Sequence, residues 1–192
     1  MSDYGYKERD FEHPSTLFVL EDSLKILAGY LLFSRYIKAF GLKGNERVLD
    51  FGCGGGVGSR CLANLLKKGG HLTCIDISNF WIKRAKRRLR KYDNVDLKAG
   101  DIRELDIPDA SLDAISTIYV IHDIPPADRR ETISTLSQKL KPGGTFFIKE
   151  PIKKSHGMSV DEIRSLLSDA GLGEIAHRQT ESQYIAKYQK TS

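Results

Sequence analysis

Arg47–Gly56, with the sequence RVLDFGCGGG, is the stretch that decides the fold of this 192-residue chain. A short apolar run ends in an aspartate and a cluster of glycines, and an amphipathic segment, 57–68, follows directly. An apolar run that leads through glycines into a helix is typical of the first strand and helix of an open α/β sheet. Glycines also let the backbone turn sharply and approach a ligand without a Cβ clash.

The same alternation continues along the chain. It predicts βαβ units and a mostly parallel sheet with helices on both faces. Two more segments, 174–180 and 183–188, have the character of strands and are separated by a short turn that permits only antiparallel pairing, so we predict a C-terminal hairpin. The predicted strands are 48–51, 72–75, 95–97, 114–120 and 145–148, and the predicted helices are about 57–68, 78–92, 127–140 and 160–170.

The segment before the first strand is predicted to be helical and too small to form a domain. We therefore predict a helical cap or lid over 1–44 and a sheet domain over 45–192. Three aromatic residues ahead of the first helix fit either a lid or a disordered tail. The leucines at helical spacing are Leu17, Leu20, Leu24, Leu27 and Leu31, and the aromatic residues are Tyr4, Tyr6 and Phe11.

The positive charge of the chain is a local feature. Lys and Arg number 30 against 25 Asp and Glu, but the segment 83–91 (KRAKRRLRK) holds seven of the cations and no acid. Without it the balance is 23 to 25, a net charge of −2. We predict that this segment lies on a helix with an inward stripe of Ile82, Ala85, Leu89 and Tyr92, and that all seven cations point outward on the opposite face. This face is either simply solvated or contacts RNA, an anionic membrane or an acidic protein.

The sequence disfavours three classes of protein: metal-binding, disulfide-stabilised and membrane-spanning proteins. The three cysteines show no CxxC spacing and the five histidines are scattered without an HxxxH pair, so no metal site is predicted. The polar N-terminus does not resemble a secretory signal, and no apolar run approaches about 20 residues. We expect a soluble, cytoplasmic protein.

Three aspartates stand at three consecutive strand ends, where open α/β sheets bind ligands. Asp50 precedes the glycines, where it disfavours a pyrophosphate and suits a cationic ligand. Asp76 can accept hydrogen bonds from both hydroxyls of a ribose, and Asp101 can accept one from an adenine amino group. The dinucleotide fingerprint G-x-G-x-x-G fails at Val57 or Ser59, which disfavours a nicotinamide-dependent oxidoreductase.

The segments VLDFGCGGG, CIDIS, AGDI, LDAISTIYVIHDIP and LKPGGTFFI resemble the class I S-adenosylmethionine-dependent methyltransferase family over roughly residues 47–148. The resemblance implies a Rossmann-like, seven-stranded sheet and S-adenosylmethionine as cofactor. By the resemblance Asp50, Gly52 and Gly54 hold the methionine end, Asp76 the ribose, and Asp101 and Ile102 the adenine. Ile77 and Trp81 pack on the adenine, and Thr117 lies beside the amino and methyl groups. Cys53, Gly56 and Gly100 complete the predicted cofactor loops.

Candidate catalytic residues follow the fourth and fifth strands. His122 and Tyr119 lie where related enzymes often carry a histidine, and Glu150 ends the fifth strand. A general base is needed only for a protonated acceptor. His122 is alternatively a structural link between strand and helix, and Glu150 a solvated loop acid.

We therefore predict methyl transfer from S-adenosylmethionine to a small-molecule acceptor, with no nucleic-acid partner. Two alternatives remain open: an RNA or protein methyltransferase that uses the basic helix 83–91, and a non-catalytic cofactor-binding subunit. Neither the acceptor nor the oligomeric state follows from the sequence.

Overall fold

The computed structural model describes residues 6, 8–16, 19–20 and 33–191. Two compact units divide the chain: Asp10–Asp101 forms one, and Met1–Arg9 with Ile102–Ser192 forms the other. Of the predicted N-terminal features, Tyr4, Leu17, Leu24, Leu27 and Leu31 lie outside the described residues. The cap role of 1–44 therefore stays a prediction.

The unit Asp10–Asp101 contains three parallel strands and the helices between them. Strand β2 lies between β1 and β3, with Arg47 opposite His71 and Leu72 opposite Val95. The apolar side chains of β2 are buried, as in a strand that is covered on both faces. The elements of this unit are α1 (helical over 33–38), β1 (Arg47–Phe51), α2 (Val57–Leu65), β2 (His71–Asp76), α3 (Asn79–Leu89) and β3 (Val95–Ala99).

Helix α3 carries most of the basic segment, and its N-cap is Ser78, whose hydroxyl accepts a hydrogen bond from Trp81 N at 3.3 Å. Its buried face consists of Trp81, Ala85 and Leu89, so Trp81 takes the inward place predicted for Ile82, which is half-buried. The prediction that all seven cations point outward is wrong in part. Arg88 donates to the carbonyl oxygen of Gly55. Five cations are exposed: Lys83, Lys86, Arg87, Arg90 and Lys91.

The second unit contains the remaining strands in the order β4-β5-β8-β7. Strands β4 and β5 pair in parallel, whereas β8 pairs antiparallel with both β5 and β7. Its elements are β4 (Leu112–Ile118), α4 (Pro126–Lys139), β5 (Leu140–Lys153), β6 (His156–Gly157), α5 (Val160–Asp169), β7 (Leu172–Gln179) and β8 (Gln183–Lys190).

Strand β5 is longer than predicted, and its end folds back on itself. No strand is predicted between 148 and the helix at about 160–170, but β6 pairs antiparallel with the end of β5, with Ile152 opposite Gly157 and Lys153 opposite His156. Gly157 adopts φ +152°, which lets the chain turn where a Cβ would lie 2.3 Å from Pro151 O. Two residues are too few for an alternating pattern, so the sequence does not reveal this strand.

Parallel strands alternate with helices in both units, and an antiparallel β7–β8 pair closes the chain. The predicted fold class, including the C-terminal hairpin, is confirmed. Among the described residues, no helix combines the length and the apolar character that crossing a bilayer would require.

A hydrogen-bonded network on Glu174 ties α5, β7 and β8 together. The Glu174 carboxylate accepts from Tyr184 at 2.5 Å, from Tyr188 at 3.0 Å and from Arg164 at 2.9 Å. His177 Nδ1 lies 2.5 Å from its other oxygen. Burial acts to raise the pKa of Glu174, but the hydrogen bonds from Arg164 and the two tyrosines lower it to about 2.

The Glu174 network is expected to make folding sensitive to acid. Because the folded pKa lies below the ordinary value of 4.5, the stabilisation is complete above about pH 4.5 and is lost as the pH falls toward 2. Urea unfolding at a series of pH values should show this loss in the wild type, and Glu174→Gln should reduce it. The control Glu181→Gln, at an exposed position in the β7–β8 turn, should keep it. Equal pH dependence in wild type and Glu174→Gln would contradict the assignment.

Candidate functional site

The glycine loop after β1 follows a tight path. Gly52, Gly54 and Gly56 adopt φ values of +69°, +50° and +80°, a region that favours glycine. Cys53 N donates to Ile75 O at 2.9 Å, which fixes the loop against the end of β2. The predicted role of these glycines, a backbone free of Cβ obstruction, agrees with this geometry.

Two of these glycines serve different purposes. A Cβ on Gly54 would meet no atom within 4 Å, so this residue lines open space. A Cβ on Gly56 would lie 3.2 Å from Ala85 Cα, so Gly56 allows the chain to pack closely on α3. Gly54 is therefore the better placed of the two to contact a ligand, and the cofactor role of Gly56 stays a prediction.

Asp50 connects the end of β1 to α2. Its side chain is buried, and Oδ2 accepts a hydrogen bond from Ser59 Oγ at 2.6 Å. Ser59 is a partner that sequence reasoning missed, because a serine within a helix carries no distinguishing pattern. The contact of Asp50 with the methionine end stays a prediction.

Asp76 organises the end of β2. Its Oδ2 accepts from Gly54 N at 2.8 Å and its Oδ1 from Ser78 N at 3.0 Å, so one carboxylate holds both the glycine loop and the start of α3. Burial raises the pKa of Asp76, and these two backbone hydrogen bonds act in the opposite direction. Each carboxylate oxygen accepts more than one hydrogen bond, so capacity for hydroxyl donors remains.

The residues predicted to surround the adenine differ in exposure. Ile77 is 59% exposed directly beside Asp76, whereas Trp81 and Ile102 are buried. Gly100 N donates to Asp76 O at 3.0 Å, and Asp101 is half-buried. An apolar side chain exposed to this extent at a strand end gives a flat ligand a surface to cover.

Thr117, near the end of β4, carries a second feature that points to a ligand. The side chain is fully buried, and among the described residues its Oγ1 has no hydrogen-bond partner. A buried hydroxyl without a partner costs about 1–3 kcal/mol, a cost that a polar ligand atom would remove. Within the other unit, Asp10–Asp101, the open space at Gly54, the exposed Ile77 and the acid at Asp76 by themselves fit a ligand that contains adenosine.

Tyr119 follows β4 in an unusual conformation. It has φ +61°, a backbone conformation that is unfavourable for a residue with a bulky side chain. Residues in such strained conformations cluster at functional sites. Its hydroxyl accepts a hydrogen bond from Gln183 Nε2 at 2.6 Å. Burial, and secondarily the charge of Glu150, raise the pKa of Tyr119 to about 12. The phenol therefore stays protonated near neutral pH.

Glu150 is fully buried on β5, which excludes the alternative of a solvated loop acid. Its Oε1 accepts from Val120 N and Ile121 N, both at 2.9 Å. Its Oε2 lies 2.7 Å from His122 Nδ1 and 3.4 Å from His122 N. One carboxylate thus holds the short 3₁₀ turn Ile121–Asp123 together with the histidine ring on it.

Glu150 also decides which nitrogen of His122 donates a hydrogen bond and which presents a lone pair. An ionised carboxylate only accepts hydrogen bonds, so Nδ1 carries the proton and Nε2 presents a lone pair. Arg129 on α4 donates to His122 O at 3.0 Å and fixes the turn from the other side. The structure therefore brings together two of the three candidate catalytic residues, His122 and Glu150, while the Tyr119 hydroxyl is engaged by Gln183.

Two further side chains converge on His122: Asp123, which the sequence offers either as a candidate base or as the cap of the following helix, and His156, which the sequence does not predict. His156 Nε2 lies 3.1 Å from His122 Nε2, and Asp123 Oδ1 lies 3.5 Å from the same atom. Arg9 contacts both residues, at 3.3 Å from Asp123 Oδ1 and 3.2 Å from His156 Nδ1. Burial raises the pKa of Asp123, and burial with the neighbouring His122 and Arg9 lowers the pKa of His156.

Comparison with known proteins shows the relatives of this chain. Residues 48–144 match the family described as methyltransferase domain. A carboxy-S-adenosyl-L-methionine synthase from Shewanella sp. strain W3-18-1 is 30% identical over 113 residues, covering 57% of this chain and 46% of that protein. A protein of transposon TN4556 from Streptomyces fradiae is 30% identical over 115 residues, 60% of this chain and 33% of that protein. The matched part is thus less than half of either curated relative.

Solved structures share the fold at low sequence identity. An S-adenosylmethionine-dependent methyltransferase from Aquifex aeolicus superposes with a TM-score of 0.72 at 21% identity, covering 83% of this chain and 89% of that one. The 1,6-didemethyltoxoflavin-N1-methyltransferase of Burkholderia thailandensis, solved with 1,6-didemethyltoxoflavin and S-adenosylhomocysteine, gives 0.66 at 17% identity, covering 91% and 81%. With the family match spanning half of the residues, the chain belongs to the class I S-adenosylmethionine-dependent methyltransferase family, whose cofactor is S-adenosylmethionine.

Proposed function

We propose that this protein transfers the methyl group of S-adenosylmethionine to a small-molecule acceptor. The observation that carries the proposal is the Asp76 carboxylate, which fastens Gly54 and Ser78 beside the exposed Ile77 at the end of β2. A buried acid at this position suits the hydroxyls of a ribose. The cofactor, when bound, supplies an electrophilic methyl group on a sulfonium cation.

The side chains of the unit Asp10–Asp101 are proposed to bind and orient the cofactor. Asp76 accepts hydrogen bonds from the ribose, and Ile77 covers one face of the adenine, with Asp101 at its amino group. Asp50 supplies negative charge near the methionine end through its fixed position against Ser59. Holding two reactants in alignment can lower a barrier by about 7–11 kcal/mol in favourable cases.

His122 and Glu150 are proposed to act on the acceptor. Glu150 fixes the ring of His122 by its contact with Nδ1, so Nε2 presents a lone pair that can accept a proton or bind a cation. Tyr119, protonated near neutral pH, serves as a hydrogen-bond donor rather than as a base. A small-molecule acceptor is supported by the Burkholderia thailandensis relative, which was solved with such a molecule.

A second candidate function follows from the curated relatives named carboxy-S-adenosyl-L-methionine synthase. In such a reaction the cofactor itself is the molecule that is altered, and no acceptor takes up a methyl group. The RNA or protein alternative depends on the five exposed cations of the basic segment 83–91. We also propose a cytoplasmic location, which the absence of any disulfide-framework spacing in the sequence supports.

Incubation with methyl-labelled S-adenosylmethionine and a fractionated cell extract tests the proposal. We expect label to enter the small-molecule fraction, with release of S-adenosylhomocysteine. Label in RNA or protein that disappears when Lys86, Arg87 and Arg90 are neutralised would favour the macromolecular alternative. An altered cofactor that retains its label would favour the second candidate, and either of these results would overturn the small-molecule proposal.

A further inference from the structure

Three potential metal ligands converge within the unit Met1–Arg9 and Ile102–Ser192. One ligand atom from each of His122, Asp123 and His156 lies within 4.8 Å of the other two. The two imidazole Nε2 atoms are 3.1 Å apart, and His122 Nε2 is 3.5 Å from Asp123 Oδ1. Ligand atoms about 2.0–2.2 Å from one tetrahedral ion lie roughly 3.3–3.6 Å from each other, so separations of 3.1 Å and 3.5 Å are close to those around a shared ion.

The surroundings of His122 are those of a metal ligand. Its Nδ1 donates to the buried Glu150 carboxylate at 2.7 Å, which orients the ring and leaves Nε2 as the coordinating atom. A carboxylate behind a coordinating histidine is the usual second layer of such sites, since it fixes the tautomer and raises the basicity of the ligand. His156 is exposed, so an ion can enter from solvent.

The charge at this position already attracts a cation. The Arg9 guanidinium contacts Asp123 Oδ1 at 3.3 Å and His156 Nδ1 at 3.2 Å. With Arg9 moved away, the negative charges of Glu150 and Asp123 sum to −2, which a divalent ion neutralises. Arg9 is thus a competitor of the ion rather than one of its ligands.

We propose that His122, Asp123 and His156 bind a divalent transition-metal ion of the zinc class. Two imidazole nitrogens and one carboxylate oxygen suit such ions better than Mg²⁺ or Ca²⁺, which prefer oxygen ligands throughout. Three protein ligands leave a coordination position open. This part of the proposal rests on the proposed function: an oxygen of the small-molecule acceptor occupies the open position, and the ion lowers the pKa of the acceptor's hydroxyl group.

Cobalt(II) titration of the full chain after removal of metals with a chelator tests this site, because Co²⁺ substitutes for zinc and gives visible absorption bands on coordination. We expect one equivalent to bind with such bands and to be displaced by Zn²⁺. His156→Gln, at an exposed position, should weaken binding by at least about tenfold. Arg9→Ala should tighten it by about two- to fivefold, which corresponds to about 0.4–1 kcal/mol, since a competing cation is removed.

The matched control is His13→Gln. His13 is an exposed histidine that also pairs with a carboxylate, that of Asp10 at 3.1 Å, yet is no member of the cluster, so this variant should bind cobalt like the wild type. Absence of stoichiometric binding, or equal affinity in wild type and His156→Gln with unchanged circular dichroism, would overturn the proposal. Cobalt binding is measured without cofactor or acceptor. A failure to bind cobalt therefore does not contradict the methyl-transfer proposal, and a failure to transfer a methyl group does not contradict the metal site.

Discussion

Asp76→Ala is expected to weaken S-adenosylmethionine binding by at least about 100-fold. Two hydrogen bonds from the ribose to a charged acceptor are worth about 1.5–3 kcal/mol each, and each 1.4 kcal/mol is a factor of ten in affinity. The loss is compounded because Gly54 N and Ser78 N lose their acceptor, so the glycine loop and the start of α3 lose a common anchor. Isothermal titration calorimetry measures the effect directly.

Two variants make the Asp76 result specific. Asp93→Ala removes an exposed aspartate from the same unit and should bind the cofactor like the wild type. Asp76→Asn keeps one oxygen acceptor without the charge and should fall between wild type and Asp76→Ala. Wild-type affinity in a folded Asp76→Ala protein would show that the ribose does not bind there.

Substitutions of Glu150 are expected to separate its structural role from its role in the reaction. Glu150→Ala leaves the buried N–H group of Ile121 and the half-buried one of Val120 without an acceptor, so the free energy of unfolding should fall by about 3 kcal/mol or more. Glu150→Gln can keep both of these bonds through its amide oxygen. Its amide nitrogen then faces His122 Nδ1, which favours the other tautomer and removes the lone pair from Nε2.

Glu150→Gln is therefore expected to remain folded and bind cofactor while its turnover falls by about 10²–10⁴-fold. Urea unfolding and steady-state kinetics measure the two effects on the same preparations. Glu104→Gln, an exposed glutamate in the same unit, is the matched control and should leave both quantities unchanged. Wild-type turnover in Glu150→Gln would show that the orientation of His122 plays no part in the reaction.

The elements that the sequence reveals are those with strong local patterns. The run ending at Phe51, the glycines after it and the amphipathic period of α3 each follow from a few neighbouring residues, and the structure places β1 and α3 within a few residues of the predictions. The acids at strand ends are equally visible, because a parallel sheet places the carboxyl ends of its strands at one edge. The Asp76 position follows from this rule, although its bonds to Gly54 and Ser78 do not.

The acceptor end is less visible because its contacts join residues far apart in the chain. Glu150 and His122 are separate candidates in the sequence, and their 2.7 Å contact depends on the alignment of β5 with the turn after β4. His156 reaches His122 only because β6 folds back on β5, and that two-residue strand has no periodicity to detect. Arg88 shows the same limit, since helical spacing alone does not predict its bond to Gly55.

Parallel titration of the purified chain with S-adenosylmethionine, S-adenosylhomocysteine and NADH tests the central claim most directly. The glycine loop lacks the dinucleotide fingerprint, and the buried Asp50 stands two residues before Gly52. We therefore expect one equivalent of S-adenosylmethionine and of S-adenosylhomocysteine to bind, and no NADH at the same concentrations. Tight NADH binding without S-adenosylmethionine binding would contradict the account.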